Sequence, residues 1–358
     1  MSYTIPIGPY HPSLEEPYKI EVTCQGESVR DAALHIGFNF RGIEWLAERR
    51  NYVQNIALVE RVCGMCSGVH TLTFCLAVER LAGLPVPERA QHIRVIMAEL
   101  ERLHSHILWA GIAAEVMGFQ TLFMTCFTLR EQIMDVLEAI SGNRVNYAMN
   151  CIGGVNRDII DPEPVLVAVK AFEQELTRTL IPIFTADPTI RARCAGVGVM
   201  TREQAIAWGA VGPTARASDI PQDIRRVAPY AAYDRLAFEV PVETTGDVLT
   251  RIIVRALEMV ESCRLIRQAL PQMPPGPVRG PDFVEVPPGE AVARTEAPRG
   301  EVFYYIASDG SDVPLRVKVR TPSFANMPTV RLMVQGANLA DVPLIQASID
   351  PCYSCTDR

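Results

Sequence analysis

Asp350-Pro351-Cys352-Tyr353-Ser354-Cys355-Thr356-Asp357-Arg358 closes the chain with a Cys-x-x-Cys pair, and Arg61-Val62-Cys63-Gly64-Met65-Cys66-Ser67-Gly68-Val69-His70 carries the same spacing near the start. The two pairs meet only if the chain between them folds back on itself. A terminus frays unless something ties it down, so thiols this close to the last residue are expected to be ligands. Taken alone, four cysteines in two such pairs are the donor set of a structural zinc, tetrahedral and closed to substrate. Zinc ribbons usually keep both pairs within one small module, whereas here almost the whole chain separates them.

The intervening sequence reads as mainly α with small β regions at both ends, an α+β chain built on a bundle of long helices. Tyr18, Ile20 and Val22 alternate with polar residues, the period of a half-buried strand. Leu315, Val317 and Val319 repeat that pattern and follow Val302 to Ile306 across the turn signal Ser308-Asp309-Gly310, which predicts a hairpin. Pro87 opens a segment in which Ile93, Ile96, Leu100, Leu103 and Ile107 share one helical face, and Gly118 ends it. Asp161-Pro162 starts another helix through Val165, Val169, Phe172 and Leu176, and Asp247 starts one that runs to Leu270. Proline and glycine gather between Pro271 and Pro288 and mark an exposed connection. The expected organisation is a single domain over residues 1–358: an N-terminal β region (1–27), a helical body (28–270), and a C-terminal β region with the cysteine tail (289–358).

Composition narrows the function. The chain has 358 residues, 48% hydrophobic and 21% charged, with 34 basic against 41 acidic side chains and a formal charge of -7. It can bury a large core, and it lacks the basic excess that supplies affinity for nucleic acid. No apolar run approaches the roughly 18 residues that spanning a bilayer needs. The start, MSYTIPIGPYHP, has neither the basic nor the apolar region of an export signal. The expected location is therefore the cytoplasm, or a membrane surface reached through partners. Ten cysteines in that setting stay reduced, and Cys24, Cys75, Cys126, Cys151, Cys194 and Cys263 read as small buried hydrophobes. His104 and His106 lie two apart on a helix, face different sides and are expected to be structural.

The two cysteine motifs resemble the paired nickel-binding signatures of the large subunit of [NiFe]-hydrogenases, and the resemblance runs along essentially the whole chain. Within that family it is nearest the membrane-associated, energy-converting branch, which includes carbon-monoxide-linked hydrogenases. The chain is also similar to the quinone-pocket (49 kDa) subunit of respiratory complex I, through GPYHPS, RGIEWLAE, GGVNRD, PYAAYD, SDGSDVP and RVKVRTPSF. That subunit lacks the thiolate set, so four cysteines at both ends favour the hydrogenase.

The resemblance implies a catalytic subunit that interconverts protons and molecular hydrogen at a nickel–iron centre whose iron carries cyanide and carbon monoxide. It makes Cys66 and Cys355 bridging sulfurs and Cys63 and Cys352 terminal nickel ligands, chemistry that suits soft thiolates. Arg299 would lie over the centre, Pro322-Ser323 would contact the diatomic ligands, and His70 would donate a hydrogen bond toward a bridging sulfur. Glu15-Glu16, just before the Tyr18 strand, occupies the place of the proton-transferring glutamate, with Glu16 preferred and Glu15 in reserve. Glu44 matches a carboxylate near a second, hard metal such as magnesium. Many relatives end in a histidine that serves that metal and this chain ends in Arg358, so an ion pair at Glu44 is an equal alternative. The ending also coincides with the end of the mature relatives, from which a C-terminal extension is often removed. No cysteine set remains for an iron–sulfur cluster in this chain. The implied partners are an iron–sulfur small subunit, ferredoxin-type electron carriers and ion-pumping membrane subunits. The alternative function is a non-catalytic scaffold or quinone-contacting subunit whose cysteines hold zinc.

Overall fold

The computed structural model describes residues 2–12, 14, 16–282 and 285–358. The chain is mainly helical, with a three-stranded antiparallel sheet at each end. The N-terminal sheet has the order β1 (Ser2–Ile7), β2 (Lys19–Gln25), β3 (Ser28–His35). Tyr18, Ile20 and Val22 point inward as their alternation predicts. β1 precedes the strand read from those residues, so Glu16 lies between two strands rather than ahead of the first. β3 carries the sheet to His35, past the boundary expected at residue 27.

The helices that build the site follow. α1 (Ile43–Ala47), α2 (Tyr52–Glu60) and α3 (Ser67–Ala82) come first, and α4 (Glu88–Val116) and α5 (Gln120–Ser141) form the long antiparallel pair. α6 is Glu163–Glu175, and short helices lead on to α7 (Val248–Gln272). α4 packs along α5 and α7. It is buried on nearly every side, as the central helix of a bundle must be. Its ends fall where the sequence puts them: Pro87 precedes Glu88, and Gly118 follows in the left-handed conformation that lets the chain turn away. Asp247 caps α7 by accepting from Thr250 N–H, with the Thr250 side chain answering to the Asp247 N–H.

The C-terminal sheet has the order β4 (Gly289–Ala297), β5 (Gly300–Ser308), β6 (Arg316–Arg320). β5 and β6 are the expected hairpin, with Tyr304 opposite Val319 and Ile306 opposite Val317. α3 lies against β4 and β5, so the first cysteine pair and the C-terminal sheet share one wall. α8 (Pro322–Met333), α9 (Val342–Ser348) and α10 (Tyr353–Asp357) bring the tail back beneath it. Among the described residues, no helix is long and apolar enough to cross a membrane.

Charges inside the bundle lock its helices together. Glu99 of α4, fully buried, accepts from Arg225 Nη1 at 3.0 Å, Arg102 Nε at 3.2 Å, Tyr233 Oη at 2.5 Å and Ser262 Oγ at 2.6 Å. Burial raises its pKa, but the charges of Arg225 and Arg102 outweigh that and hold the carboxyl at about 2. Glu99→Gln removes the charge and leaves both guanidiniums short of a partner, which is expected to destabilise the fold by about 3–5 kcal/mol. A depressed carboxyl contributes stability above its unfolded value, and that contribution is lost as pH falls toward 2. The variant should therefore lose less stability than the parent between pH 4 and pH 2, as measured by denaturant melts across that range. Equal acid limbs would show that Glu99 is not the group responsible.

Candidate metal centre

All four cysteines of the two pairs are buried, and they meet. Cys63 Sγ lies 3.6 Å from Cys352 Sγ, and Cys66 Sγ lies 3.8 Å from Cys355 Sγ. The sulfurs of Cys63, Cys66 and Cys355 all fall within 4.8 Å of one another. Sulfurs bound tetrahedrally to a soft metal at about 2.3 Å stand about 3.8 Å apart, so this spacing fits metal ligation. Among the described residues, no other group of His, Cys, Asp or Glu has such spacing. The remaining six cysteines are scattered, five of them buried and Cys151 half-buried.

Each hairpin is built alike. Cys63 Sγ accepts the N–H groups of Met65 at 3.2 Å and Cys66 at 3.3 Å, and Cys352 Sγ accepts that of Cys355 at 3.4 Å. These bonds turn the first cysteine of each pair toward the second. Arg41 ties the hairpins together, donating to the carbonyls of Arg61 at 2.6 Å, Val62 at 2.9 Å and Ser354 at 2.9 Å. Tyr353 stacks on Tyr18 at 4.3 Å, and Asp357 accepts from Gly37 and Asn39 N–H, so β2 and the loop after β3 hold the tail in place.

Four thiols this close cannot all ionise at once. Hydrogen bonds from Cys352, Cys355 and Cys66 hold Cys63 well below the ordinary thiol range, with the Arg299 charge adding to them. For Cys66 and Cys352 the bond from Cys355 pulls down, and donation to Cys63 together with burial outweighs it. Cys355 is raised by its bonds to Cys352, Cys63 and Cys66.

Arg299 sits in the turn between β4 and β5, buried rather than in solvent. Its Nε donates to the Asp350 carbonyl at 2.8 Å and its Nη2 pairs with Asp350 Oδ1 at 2.8 Å. Its Nη1 is buried and has no partner. Burial would lower its pKa, but the charges of Asp350, Cys352, Cys63 and Cys66 raise it well above the usual value, so it is a fixed cation beside the sulfurs. Ser323, buried with Pro322 at the start of α8, accepts the Cys352 N–H through Oγ at 3.0 Å. Thr321 Oγ1 donates to the Cys355 carbonyl at 2.9 Å.

His70 lies one turn into α3, and its N–H bonds to the Cys66 carbonyl at 3.2 Å. Its Nε2 is 3.6 Å from Cys355 Sγ and its Nδ1 is 2.9 Å from Tyr304 Oη. Burial pushes its pKa down to about 4, so the ring is neutral at pH 7. With Tyr304 donating to Nδ1, the proton is assigned to Nε2 and points at the sulfur.

Glu16 Oε2 accepts from Tyr353 N–H at 2.6 Å and Ser354 N–H at 3.2 Å, the two residues between the tail cysteines. Burial raises its pKa against the pull of those two bonds. Glu15 lies outside the described residues. Glu44 is saturated: Oε2 takes Lys318 Nζ at 2.8 Å, and Oε1 takes Arg358 Nε at 3.1 Å and Val319 N–H at 3.0 Å. Of the two expectations for Glu44, the structure contains the ion pair, with Arg358 where the resemblance puts a metal-serving histidine. His104 and His106 diverge as their spacing requires, Nε2 of one meeting the Met65 carbonyl at 3.1 Å and Nε2 of the other meeting Glu258 at 2.9 Å.

Sequence reading missed Glu101, Asp350 and Tyr304. Glu101 accepts from Gly68 and Val69 N–H, just past the first pair. Its one signal was indirect. Glu99, Glu101, Arg102, His104 and His106 surround the α4 axis, so some of them had to be buried.

Comparison with known proteins agrees with this geometry. Residues 41–110 match the profile of the nickel-dependent hydrogenase family, and residues 117–285 and 281–358 match that of the respiratory-chain NADH dehydrogenase 49 kDa subunit. The carbon monoxide-induced hydrogenase of Rhodospirillum rubrum is 44% identical over 100% of this chain and 99% of its own length. The NADH-quinone oxidoreductase subunit 4 of Thermus thermophilus is 37% identical over 99% of this chain and 94% of its own length. A chain from the solved membrane-bound sulfane sulfur reductase, an archaeal respiratory membrane complex, superposes with a TM-score of 0.95 at 34% identity, covering 100% of this chain and 98% of that one. Two cysteine pairs brought together by this helical body, in a chain matched end to end by both kinds of relative, show that it belongs to the family uniting the large subunits of membrane-associated [NiFe]-hydrogenases with the 49 kDa subunits of complex I.

Proposed function

We propose that this chain is the catalytic large subunit of an energy-converting [NiFe]-hydrogenase. One observation carries the reading: four buried thiols from opposite ends of the chain meet beside a buried arginine with an unpartnered donor. A closed structural zinc site has no use for that donor, whereas an anionic ligand on iron would accept from it. Cys63 and Cys352 would hold nickel as terminal ligands, and Cys66 and Cys355 would bridge nickel to iron. Arg299 and the Pro322-Ser323 segment would face the cyanide and carbon monoxide ligands of the iron. When bound, the nickel–iron pair supplies the centre at which hydrogen is split heterolytically.

The chain's own residues handle the proton. A cysteine sulfur takes it first, and Glu16, bonded to the backbone between Cys352 and Cys355, receives it next. Burial raises this carboxyl above its ordinary value, which favours its taking up a proton. His70 donates to Cys355 and keeps that sulfur oriented. Electrons cross to another chain, because the six remaining cysteines are scattered. An iron–sulfur small subunit, ferredoxin-type carriers and ion-pumping membrane subunits are the proposed partners. They would hold the chain at the inner face of the cell membrane. The solved relative's place in a respiratory membrane complex supports that setting.

The second reading is a non-catalytic, complex I-like subunit whose thiols hold zinc, and the match of residues 117–358 to the 49 kDa profile favours it. Metal analysis of the purified complex separates the two. Nickel and iron in equal amounts, with hydrogen evolution from an artificial electron donor, support the hydrogenase; zinc alone supports the scaffold.

Arg299→Lys tests the arginine. Lysine keeps the charge but gathers its donors on one nitrogen, and so loses the planar fork whose Nε and Nη2 hold Asp350 while Nη1 points elsewhere. Hydrogen turnover is expected to fall about a hundredfold, with metal content and melting behaviour unchanged. Parental turnover in this variant would leave the guanidinium a purely structural part.

A further inference from the structure

Each cysteine hairpin is gripped by one carboxylate, and the proposed function gives a part only to Glu16, which is half-buried. The other is Glu101, on α4. Its Oε1 accepts from Gly68 N–H at 2.6 Å and its Oε2 from Val69 N–H at 2.9 Å, and the residue is fully buried. Gly68 and Val69 are the second and third residues of α3, whose N-cap is Cys66 and whose first turn carries His70. A helix start needs acceptors for its free N–H groups and favours negative charge. Serine, threonine, asparagine or aspartate usually provides the acceptor from the cap position itself. Here that position is Cys66, which makes no side-chain capping bond. A sulfur committed to a metal is not free to cap.

Packing at Gly68 supports the same arrangement independently. A β-carbon there would stand 3.1 Å from Glu101 Oε1 and 3.4 Å from the Tyr147 ring, closer to the carboxylate than side chains ordinarily sit. Asn150 Nδ2 fastens the other side of the turn, donating to the Gly68 carbonyl and to Thr71 Oγ1, both at 3.0 Å. Glycine thus admits the carboxylate to the helix end.

We infer that Glu101 is the positioning residue of the first cysteine pair: by capping α3 from α4 it sets the Cys66 sulfur and the His70 imidazole against Cys355. The inference rests on the thiols being metal ligands, as the proposed function has them, and goes beyond it by assigning what aims two of their groups. Glu101 touches none of the reacting atoms.

Glu101→Gln is the informative change because the two bonds fall on different oxygens. Glutamine can satisfy one N–H but must turn its own NH2 against the other. Cobalt(II) titration of the metal-free full chain reads the thiolate site whatever metal it natively holds. Compared with the parent, the variant is expected to bind cobalt about 10–100-fold more weakly, with an altered sulfur-to-cobalt charge-transfer spectrum and unchanged helix content. Gly68→Ala is expected to shift the same spectrum in the same direction by less. The double variant should be no worse than Glu101→Gln alone, because both act on one contact. Parental cobalt affinity and spectrum in folded Glu101→Gln, or simple additivity with Gly68→Ala, would overturn the inference. In the purified complex, absence of nickel and iron from the parent would defeat the proposed function, and the cobalt comparison would still decide Glu101.

Discussion

Serine in place of Cys66 or Cys355 is expected to abolish hydrogen turnover and the binding of nickel and iron. A hydroxyl is a hard, weakly acidic donor and does not replace a soft thiolate at nickel. Cys66 and Cys355 stand 3.8 Å apart in the interior, where no further cysteine among the described residues can supply the missing sulfur. The chain itself should still fold, because serine is smaller than cysteine and the hairpins are also held by Arg41, Glu16 and Glu101. Metal content and turnover on the purified complex check both parts. Full nickel occupancy with activity in either variant would remove that cysteine from the ligand set. Cys63→Ser and Cys352→Ser should behave alike, since each sulfur also accepts N–H groups of its own hairpin, those of Met65 and Cys66 at Cys63 and that of Cys355 at Cys352.

Glu16→Gln carries the other large effect. Both N–H groups that grip Glu16 land on the single atom Oε2. Glutamine can therefore set its carbonyl oxygen in the same place and keep the tail hairpin closed. Only the titrating group is removed. Hydrogen turnover is expected to fall by about 10²–10⁴, while metal content and fold remain. Hydrogen/deuterium exchange, which needs proton movement but no net electron flow, should fall with it. Normal exchange in this variant with loss in Glu15→Gln would move the role by one residue. Normal rates in both would place the proton exit elsewhere, with His70 as the next group to test.

The parts of this structure that sequence reveals are those fixed by neighbours along the chain. Pro87 and Gly118 bracket α4, Asp247 caps α7, and Ser308-Asp309-Gly310 turns the β5–β6 hairpin, each a matter of local dihedral preference and local hydrogen bonding. β1 and β4 escaped because their own residues are weakly patterned, although each pairs with a strand that the sequence does announce, β1 with β2 and β4 with β5. β1 is largely exposed, so its residues carry little alternation, and β4 places small residues, Ala291, Ala293 and Ala297, on its inner face. The N-terminal sheet outran its expected end because β3 pairs with β2 across a register shift at Thr23 and Cys24, which breaks the period of two.

The site divides in the same way. Cys63, Cys66 and His70 declare themselves by spacing on one hairpin and one helical turn, and the tail cysteines repeat the code. Glu101 reaches Gly68 from another helix, and no spacing announces a contact made only by packing α4 against the start of α3. At Glu44 the sequence left a hard metal and an ion pair as equals. The ion pair depends on the position of Arg358, set by the tail's bonds to Gly37 and Asn39 and by its guanidinium stacking on Phe324 at 4.7 Å.

The four thiols are proposed to hold a nickel–iron pair whose iron carries diatomic ligands near Arg299 and Ser323. Infrared spectroscopy of the purified complex tests this most directly, because metal-bound cyanide and carbon monoxide absorb where proteins do not. Sharp bands from both ligands are expected, shifted in Arg299→Lys and absent in Cys355→Ser. A complex that carries zinc at the four cysteines and shows no such bands would contradict the proposal.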